Sequence, residues 1–119
     1  MQRLRPADAS DDWIGARVVV HIDRPVGSRH PRFAGLIYPV HYGHVPGTMA
    51  ADGHKIDAYL LGVTKPVARF EDRCVAIVHR RDDIEDKLIV VPEGLVMGDA
   101  EIAQSVQFQE RYFQTVLIR

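Results

Sequence analysis

The stretch that decides the fold is DGHKIDAYLL, which occupies residues 52–61. It begins with an Asp-Gly pair typical of a tight turn, and the branched and aromatic residues that follow predict a strand over residues 56–63. Because side chains alternate between the two faces of a strand, Asp57 and Tyr59 share one face. The pattern therefore predicts a strand with a carboxylate at the point where it begins.

Further strands are predicted on both sides of this stretch. Three segments have the same branched, apolar composition: residues 17–22, 73–79 and 87–91. Residues 25–35, rich in proline, glycine and basic residues, predict an exposed loop. The aromatic run at residues 36–47 predicts strands bent at Gly43.

The last part of the chain has a different pattern. Ile102, Val106 and Phe113 recur at spacings close to the helical period, and Asp99 has a side chain that can cap a helix, so a helix is expected from about residue 99 to 113. Short strands followed by one late helix predict a mainly β fold with α. We expect a small antiparallel barrel or curled sheet with the helix packed outside.

Composition limits the classes of function. A chain of 119 residues with 46% hydrophobic content is expected to form one domain over residues 1–119. The net charge of -1 and the interspersed charges argue against nucleic-acid or anionic-membrane binding. No apolar run approaches the roughly 18 residues of a membrane span, which favours a cytoplasmic protein. The single cysteine, Cys74, lies among apolar residues and is predicted to be a small core residue.

Two acidic groups are candidates for metal binding. Asp52 and Asp57 flank a glycine-containing loop and would bring two carboxylates to a hard cation such as Mg²⁺, although an Asp-Gly turn has a purely conformational explanation. Residues 82–86 contain four carboxylates before Lys87, and their simpler interpretation is a solvated loop. If both loops met at one end of a barrel, bound cations would relieve the repulsion between them.

Three ordered motifs resemble the soluble inorganic pyrophosphatase family. The run YPVHYGHVP at residues 38–46 is similar to the family's Tyr-Pro-x-Asn-Tyr-Gly-Tyr-Ile segment, and it precedes DGHKID as that segment precedes the Asp-Gly-Asp-x-x-Asp signature. EDKLIVVP at residues 85–92 and FQERY at residues 108–112 resemble two further family motifs. The resemblance spans roughly residues 18–113. It implies an OB-like five-stranded antiparallel barrel with a flanking C-terminal helix, which binds Mg²⁺ and hydrolyses pyrophosphate to two phosphates.

The resemblance also implies roles for individual residues. Asp52 and Asp57 match the outer signature aspartates, which hold the metals that bind the nucleophilic water. Tyr42 matches a catalytic tyrosine that hydrogen-bonds phosphate. Lys87 and Tyr112 match substrate-binding residues, and an ammonium group and phenolic donors suit phosphate oxygens. The family further implies a homo-oligomer whose partner molecule is the small substrate pyrophosphate.

The middle signature aspartate is replaced by His54. An imidazole can accept a proton from the attacking water or ligate a metal, but it has no negative charge. Because imidazole suits softer ions, the substitution indicates a shift from Mg²⁺ toward Mn²⁺, Co²⁺ or Zn²⁺.

The charged connector also departs from the family pattern. Glu85 aligns with an expected metal-binding aspartate, whereas its partner position falls on Arg80. Asp82 or Asp83 would supply the missing metal ligand only through a shifted loop.

Two functional hypotheses follow. The first is metal-dependent hydrolysis of pyrophosphate. The alternative is a catalytically degenerate barrel that binds phosphate or metal without turnover, because of the changes at His54, Arg80 and Phe113.

Overall fold

The computed structural model of the chain describes residues 2–3, 13–49, 53–83 and 85–119. Asp52, one of the predicted metal ligands, lies outside these ranges. The described elements are seven strands and one helix: β1 (Gln2–Arg3), β2 (Arg17–Arg24), β3 (His41–Val45), β4 (Ile56–Leu60), β5 (Arg69–Arg80), β6 (Asp86–Val91), α1 (Asp99–Glu110) and β7 (Thr115–Ile118). No helix in this part of the chain has the length and apolar character needed to cross a membrane.

Five of the strands form a closed barrel. They pair in the order β2, β3, β4, β6 and β5, and β5 closes the ring by pairing with both β2 and β6. The predicted five-stranded barrel with a C-terminal helix is confirmed. The β4 and β6 strands pair in parallel, while the other neighbours in the ring are antiparallel. A closed ring with an odd number of strands cannot alternate direction at every pair, so one parallel pair is a geometric necessity.

Two apolar layers stabilise the barrel. Its interior contains side chains from all five strands, among them Val20, Ala58 and Cys74. A second layer, which includes Tyr59 on the opposite face of β4, packs beneath the helix. The predicted core position of Cys74 is confirmed, since its side chain is fully buried.

The helix begins at Asp99, as predicted, but its capping residue and its C-terminal end differ from the prediction. Its N-cap is Gly98, not Asp99, and the Gly98 backbone N–H donates to the Glu101 side chain over 3.2 Å. The helix ends at Glu110, three residues earlier than expected, because a turn leads the chain into β7. The sequence did not predict β7, which pairs with β5 and extends the sheet beyond the barrel.

The predicted bend at Gly43 is wrong. The β3 strand continues through Gly43 in unbroken register with β4, and the irregularity lies instead on β2, between Ile22 and Arg24. A Cβ atom at position 43 would lie 1.8 Å from the His21 carbonyl oxygen. Glycine is therefore required for the close approach of β2, not for a turn.

Candidate active site

A cleft of about 1000 Å³ lies between the loop that follows β2, the barrel wall, and the turn that follows α1. Five of the predicted site residues line it: Tyr42, Asp57, Glu85, Lys87 and Tyr112. They come from strands β3, β4 and β6 and from segments next to β6 and α1, so the barrel and the helix end together position them.

Lys87 lies between two carboxylates. Asp57 and Lys87 are register partners in the parallel β4–β6 pair. The Lys87 ammonium donates to Asp57 Oδ2 and to Glu85 Oε2, over 2.5 Å in each case. Burial alone would lower the pKa of Lys87, but the carboxylates of Asp57 and Glu85 outweigh burial and raise it. Lys87 is therefore a fixed positive charge at neutral pH.

Tyr42 is a buried phenol beside this charged group. Its side chain is 8% exposed, and its ring centre lies 5.6 Å from the Lys87 ammonium. Burial raises the pKa of Tyr42 well above its ordinary value. Its hydroxyl therefore remains protonated across the neutral range and is able to donate a hydrogen bond to an anion.

Arg80 connects the carboxylates to the end of the helix. Its Nε and Nη2 donate to the two oxygens of Glu110 over 2.9 and 2.8 Å, and its Nη1 donates to Glu85 over 3.2 Å. The guanidinium also lies 3.6 Å from the centre of the Phe113 ring. The position at which the family resemblance implied a carboxylate thus holds a buried cation.

A hydrogen-bonded chain that includes the cleft-lining residues Arg24 and Gln109 was not predicted from the sequence. Arg24 donates to the Tyr38 hydroxyl over 2.6 Å, and Tyr38 donates to Gln109 over 2.7 Å. Gln109 donates to the Tyr59 hydroxyl over 2.7 Å, and Tyr59 donates to Glu110 over 2.6 Å. Gln109 and Glu110 belong to the FQERY motif. Their polar side chains among aromatic residues were the sequence feature that could have indicated a hydrogen-bonded chain.

Two predicted residues lie away from the cleft. His54 is exposed in the bend before β4, and Asp82 is exposed in the turn after β5, where its Oδ1 accepts from the Gln114 backbone N–H over 3.1 Å. Neither side chain lines the cleft. The proposed roles of His54 as base and of Asp82 as metal ligand stay predictions, as does the role of Asp52, which lies outside the described residues.

A profile of the inorganic pyrophosphatase family matches residues 19–116 of the chain. The chain belongs to the inorganic pyrophosphatase family. Similar curated proteins include the inorganic pyrophosphatases of Gluconobacter oxydans, which is 30% identical over 69% of this chain and 51% of its own length, and of Methanosarcina acetivorans, which is 35% identical over 51% of this chain and 39% of its own. The chain thus spans about half the length, or less, of these pyrophosphatases.

Solved pyrophosphatases have the same fold. The structure from Ehrlichia chaffeensis has a TM-score of 0.66 at 17% identity and covers 90% of this chain and 91% of its own. The structure from Coxiella burnetii has a TM-score of 0.62 at 18% identity and covers 92% of this chain and 88% of its own. At these identities the likeness shows the fold alone.

Members of the pyrophosphatase family generally use divalent metals such as Mg²⁺. In this member, no group of three or more His, Cys, Asp or Glu side chains within residues 13–49, 53–83 and 85–119 is arranged to hold a metal ion. Asp57 and Glu85 offer the hard oxygen ligands that Mg²⁺ prefers, but each already accepts from Lys87. The described residues therefore do not form a complete metal cage.

Proposed function

We propose that the cleft binds pyrophosphate and hydrolyses it to two phosphates, in a reaction that requires a divalent cation. The supporting observation is the convergence of Lys87, Tyr42, Tyr112 and two carboxylates on one cleft of a chain with this family's profile. Pyrophosphate is strongly anionic, so its recognition requires positive charge and hydrogen-bond donors.

Each of these residues has a defined task in the proposal. The Lys87 ammonium and the Tyr42 hydroxyl bind phosphoryl oxygens from the barrel side, and Tyr112 binds from the helix side. Asp57, whose side chain is 33% exposed, orients the attacking water and accepts its proton. Water then bonds to one phosphorus, and the bridging oxygen leaves with the other phosphate.

The metal requirement rests on the family and on the carboxylates Asp57 and Glu85 together with Asp52. A bound divalent cation would supply charge neutralisation that the protein's own cations cannot fully provide. If His54 takes part, Mn²⁺, Co²⁺ or Zn²⁺ should support more activity than Mg²⁺.

The test is phosphate release from pyrophosphate with each of the four metals and with a chelator. We expect metal-dependent release that Asp57→Asn reduces at least about 100-fold, as loss of a group essential to proton transfer typically does. Glu93→Gln, an exposed carboxylate outside the cleft, is the matched control and should leave the rate unchanged. Asp82→Asn tests Asp82 separately from Asp57, because a reduced rate of phosphate release would assign Asp82 to the site. Release that persists in the chelator, or in Asp57→Asn, would contradict the proposal.

One observation favours a second candidate, a barrel that binds phosphate compounds without turnover. The buried guanidinium of Arg80 lies beside Glu85, and two hydrogen bonds to the Glu110 carboxylate fix it in that position. A guanidinium next to a metal-binding carboxylate disfavours a second cation at the same place. Calorimetric binding of pyrophosphate with no phosphate release under any of the four metals would support this candidate over hydrolysis.

A further inference from the structure

The cleft is larger than pyrophosphate requires. Its volume is about 1000 Å³, at the upper end of the roughly 300–1,000 Å³ range typical of pockets for organic ligands of drug size. Pyrophosphate is a small anion that Lys87 and its neighbours would hold in one part of this space. The remaining volume requires another explanation.

Part of the cleft lining is apolar and aromatic. Phe33 and Leu36 line it from the loop after β2, and Tyr112 and Phe113 line it from the turn after α1. We call these four residues the apolar wall. Phe33 and Tyr112 are each 63% exposed. Large aromatic side chains that remain exposed next to a polar cleft are a frequent mark of ligand contact.

The loop that presents Phe33 is held by its own hydrogen bonds. The His30 N–H donates to the Leu36 carbonyl, and the Leu36 N–H donates to the Phe33 carbonyl, over 2.8 Å in each case. His30 Nδ1 accepts from the Phe33 N–H over 3.3 Å, and the two rings lie 5.0 Å apart. A bridge between Arg29 and Ile37 closes the base of the loop. Phe33 is thus exposed in a fixed position, so a ligand stacked on it would lose little additional loop entropy.

The charged part of the cleft lining favours anions. Five cationic side chains line the cleft: Arg24, Arg32, Arg80, Lys87 and Arg111. Three carboxylates line it: Asp23, Asp57 and Glu85. Five positive and three negative groups leave an excess of two positive charges, which Glu110, the partner of Arg80 outside the cleft lining, reduces to one. A ligand that matches this lining carries both an anionic group and a flat apolar group.

From these observations we infer that the cleft binds a nucleoside diphosphate, with the diphosphate at Lys87 and the base stacked against Phe33. Every nucleobase has an aromatic face, so an aromatic side chain can stack on it whichever base the nucleotide carries. This inference rests on the proposed phosphate site and adds the chemical class of the group attached to the phosphates.

The test compares two ligands that cannot be hydrolysed, α,β-methylene-ADP and methylenediphosphonate, by calorimetry on the whole chain. It uses the wild type and Phe33→Ala, with Met49→Ala as the matched control, since Met49 is 77% exposed but outside the cleft lining. We expect the wild type to bind the nucleotide analogue more tightly. Phe33→Ala should weaken that binding about tenfold or more, as the loss of one stacked base typically does, and should leave methylenediphosphonate unaffected. Met49→Ala should change neither affinity.

Other outcomes would overturn the inference in distinguishable ways. Equal affinities for the two analogues, or a nucleotide affinity that Phe33→Ala leaves unchanged, would overturn it while the proposed pyrophosphate site remained. Failure of both analogues to bind, together with absence of phosphate release from pyrophosphate, would overturn the proposed function as well. If Phe33→Ala converted an oligomer to a monomer in light scattering without changing nucleotide affinity, the apolar wall would be an interface between copies, which contradicts the inference.

Discussion

Arg80 and Glu110 form a two-point ion pair in which both side chains are buried, at 6% and 1% exposure. The pair joins the end of β5 to the last residue of α1. Removal of one partner of a buried pair costs about 3–5 kcal/mol, and the remaining contact of Arg80 with Glu85 favours the lower end of that range. We therefore expect Glu110→Gln to lower the free energy of unfolding by about 3 kcal/mol, measured by urea denaturation.

The matched control for this change is Glu71→Gln. Glu71 lies 3.9 Å from Arg17, and both of their side chains are 52% exposed. Exposed ion pairs contribute about 0–1 kcal/mol because water and salt screen them. If Glu110→Gln proved as mild as Glu71→Gln, the buried pair would not be what attaches the helix end to the barrel.

A second prediction concerns the close approach of β2 and β3. The Cβ atom of an alanine at position 43 would overlap the His21 carbonyl oxygen, whereas one at Gly35 would have no atom within 4 Å. Gly43→Ala should therefore force a backbone shift and cost about 3 kcal/mol or more, at or beyond the upper end of typical overpacking penalties. Gly35→Ala should stay within about 0.5 kcal/mol of the wild type. Equal thermal stabilities of the two variants would contradict the close approach.

The sequence determined local structure better than long-range pairing. Branched residues predicted four barrel strands, because β propensity and alternation are local properties. The parallel β4–β6 pair was missed because pairing partners far apart in the chain leave no local pattern. The β7 strand has a branched, apolar sequence, but it was missed because the predicted helix extended to residue 113 and left only a short segment after it. The same limit applies to the site. Lys87 and Asp57 were predicted as site residues from motifs, whereas the ion pair between Arg80 and Glu110, which are thirty residues apart, was not predicted.

A third prediction concerns Cys74. Burial raises the pKa of its thiol from its ordinary value of 9.0 to about 11. Because the folded-state pKa is the higher one, the unfolded state loses its proton first as the pH rises, so stability falls between about pH 9 and pH 11. The contribution of Cys74 to this loss should be on the order of 2 kcal/mol at about pH 10.5.

The measurement is the free energy of unfolding at neutral and alkaline pH for the wild type and for Cys74→Ala. The alanine variant is expected to be less stable at neutral pH because of the lost packing, but its stability should fall less on going to alkaline pH. Parallel pH dependences of the two proteins would show that the thiol titrates alike in the folded and unfolded states.

The last prediction separates hydrogen-bond donation by Tyr42 from base catalysis. Because burial raises the pKa of Tyr42, its hydroxyl keeps its proton in the pH range in which phosphate release would be assayed. Tyr42→Phe should therefore lower kcat/KM for pyrophosphate about 10- to 100-fold, because it removes one buried hydrogen-bond donor to the anion. The shape of the pH profile between about pH 6 and pH 9 should not change, since no titrating group is removed there. Tyr112→Phe, at an exposed position, should have a smaller effect. If Tyr42→Phe instead abolished an alkaline limb of the profile, Tyr42 would be exchanging its proton during the reaction, and its role would be that of an acid or base.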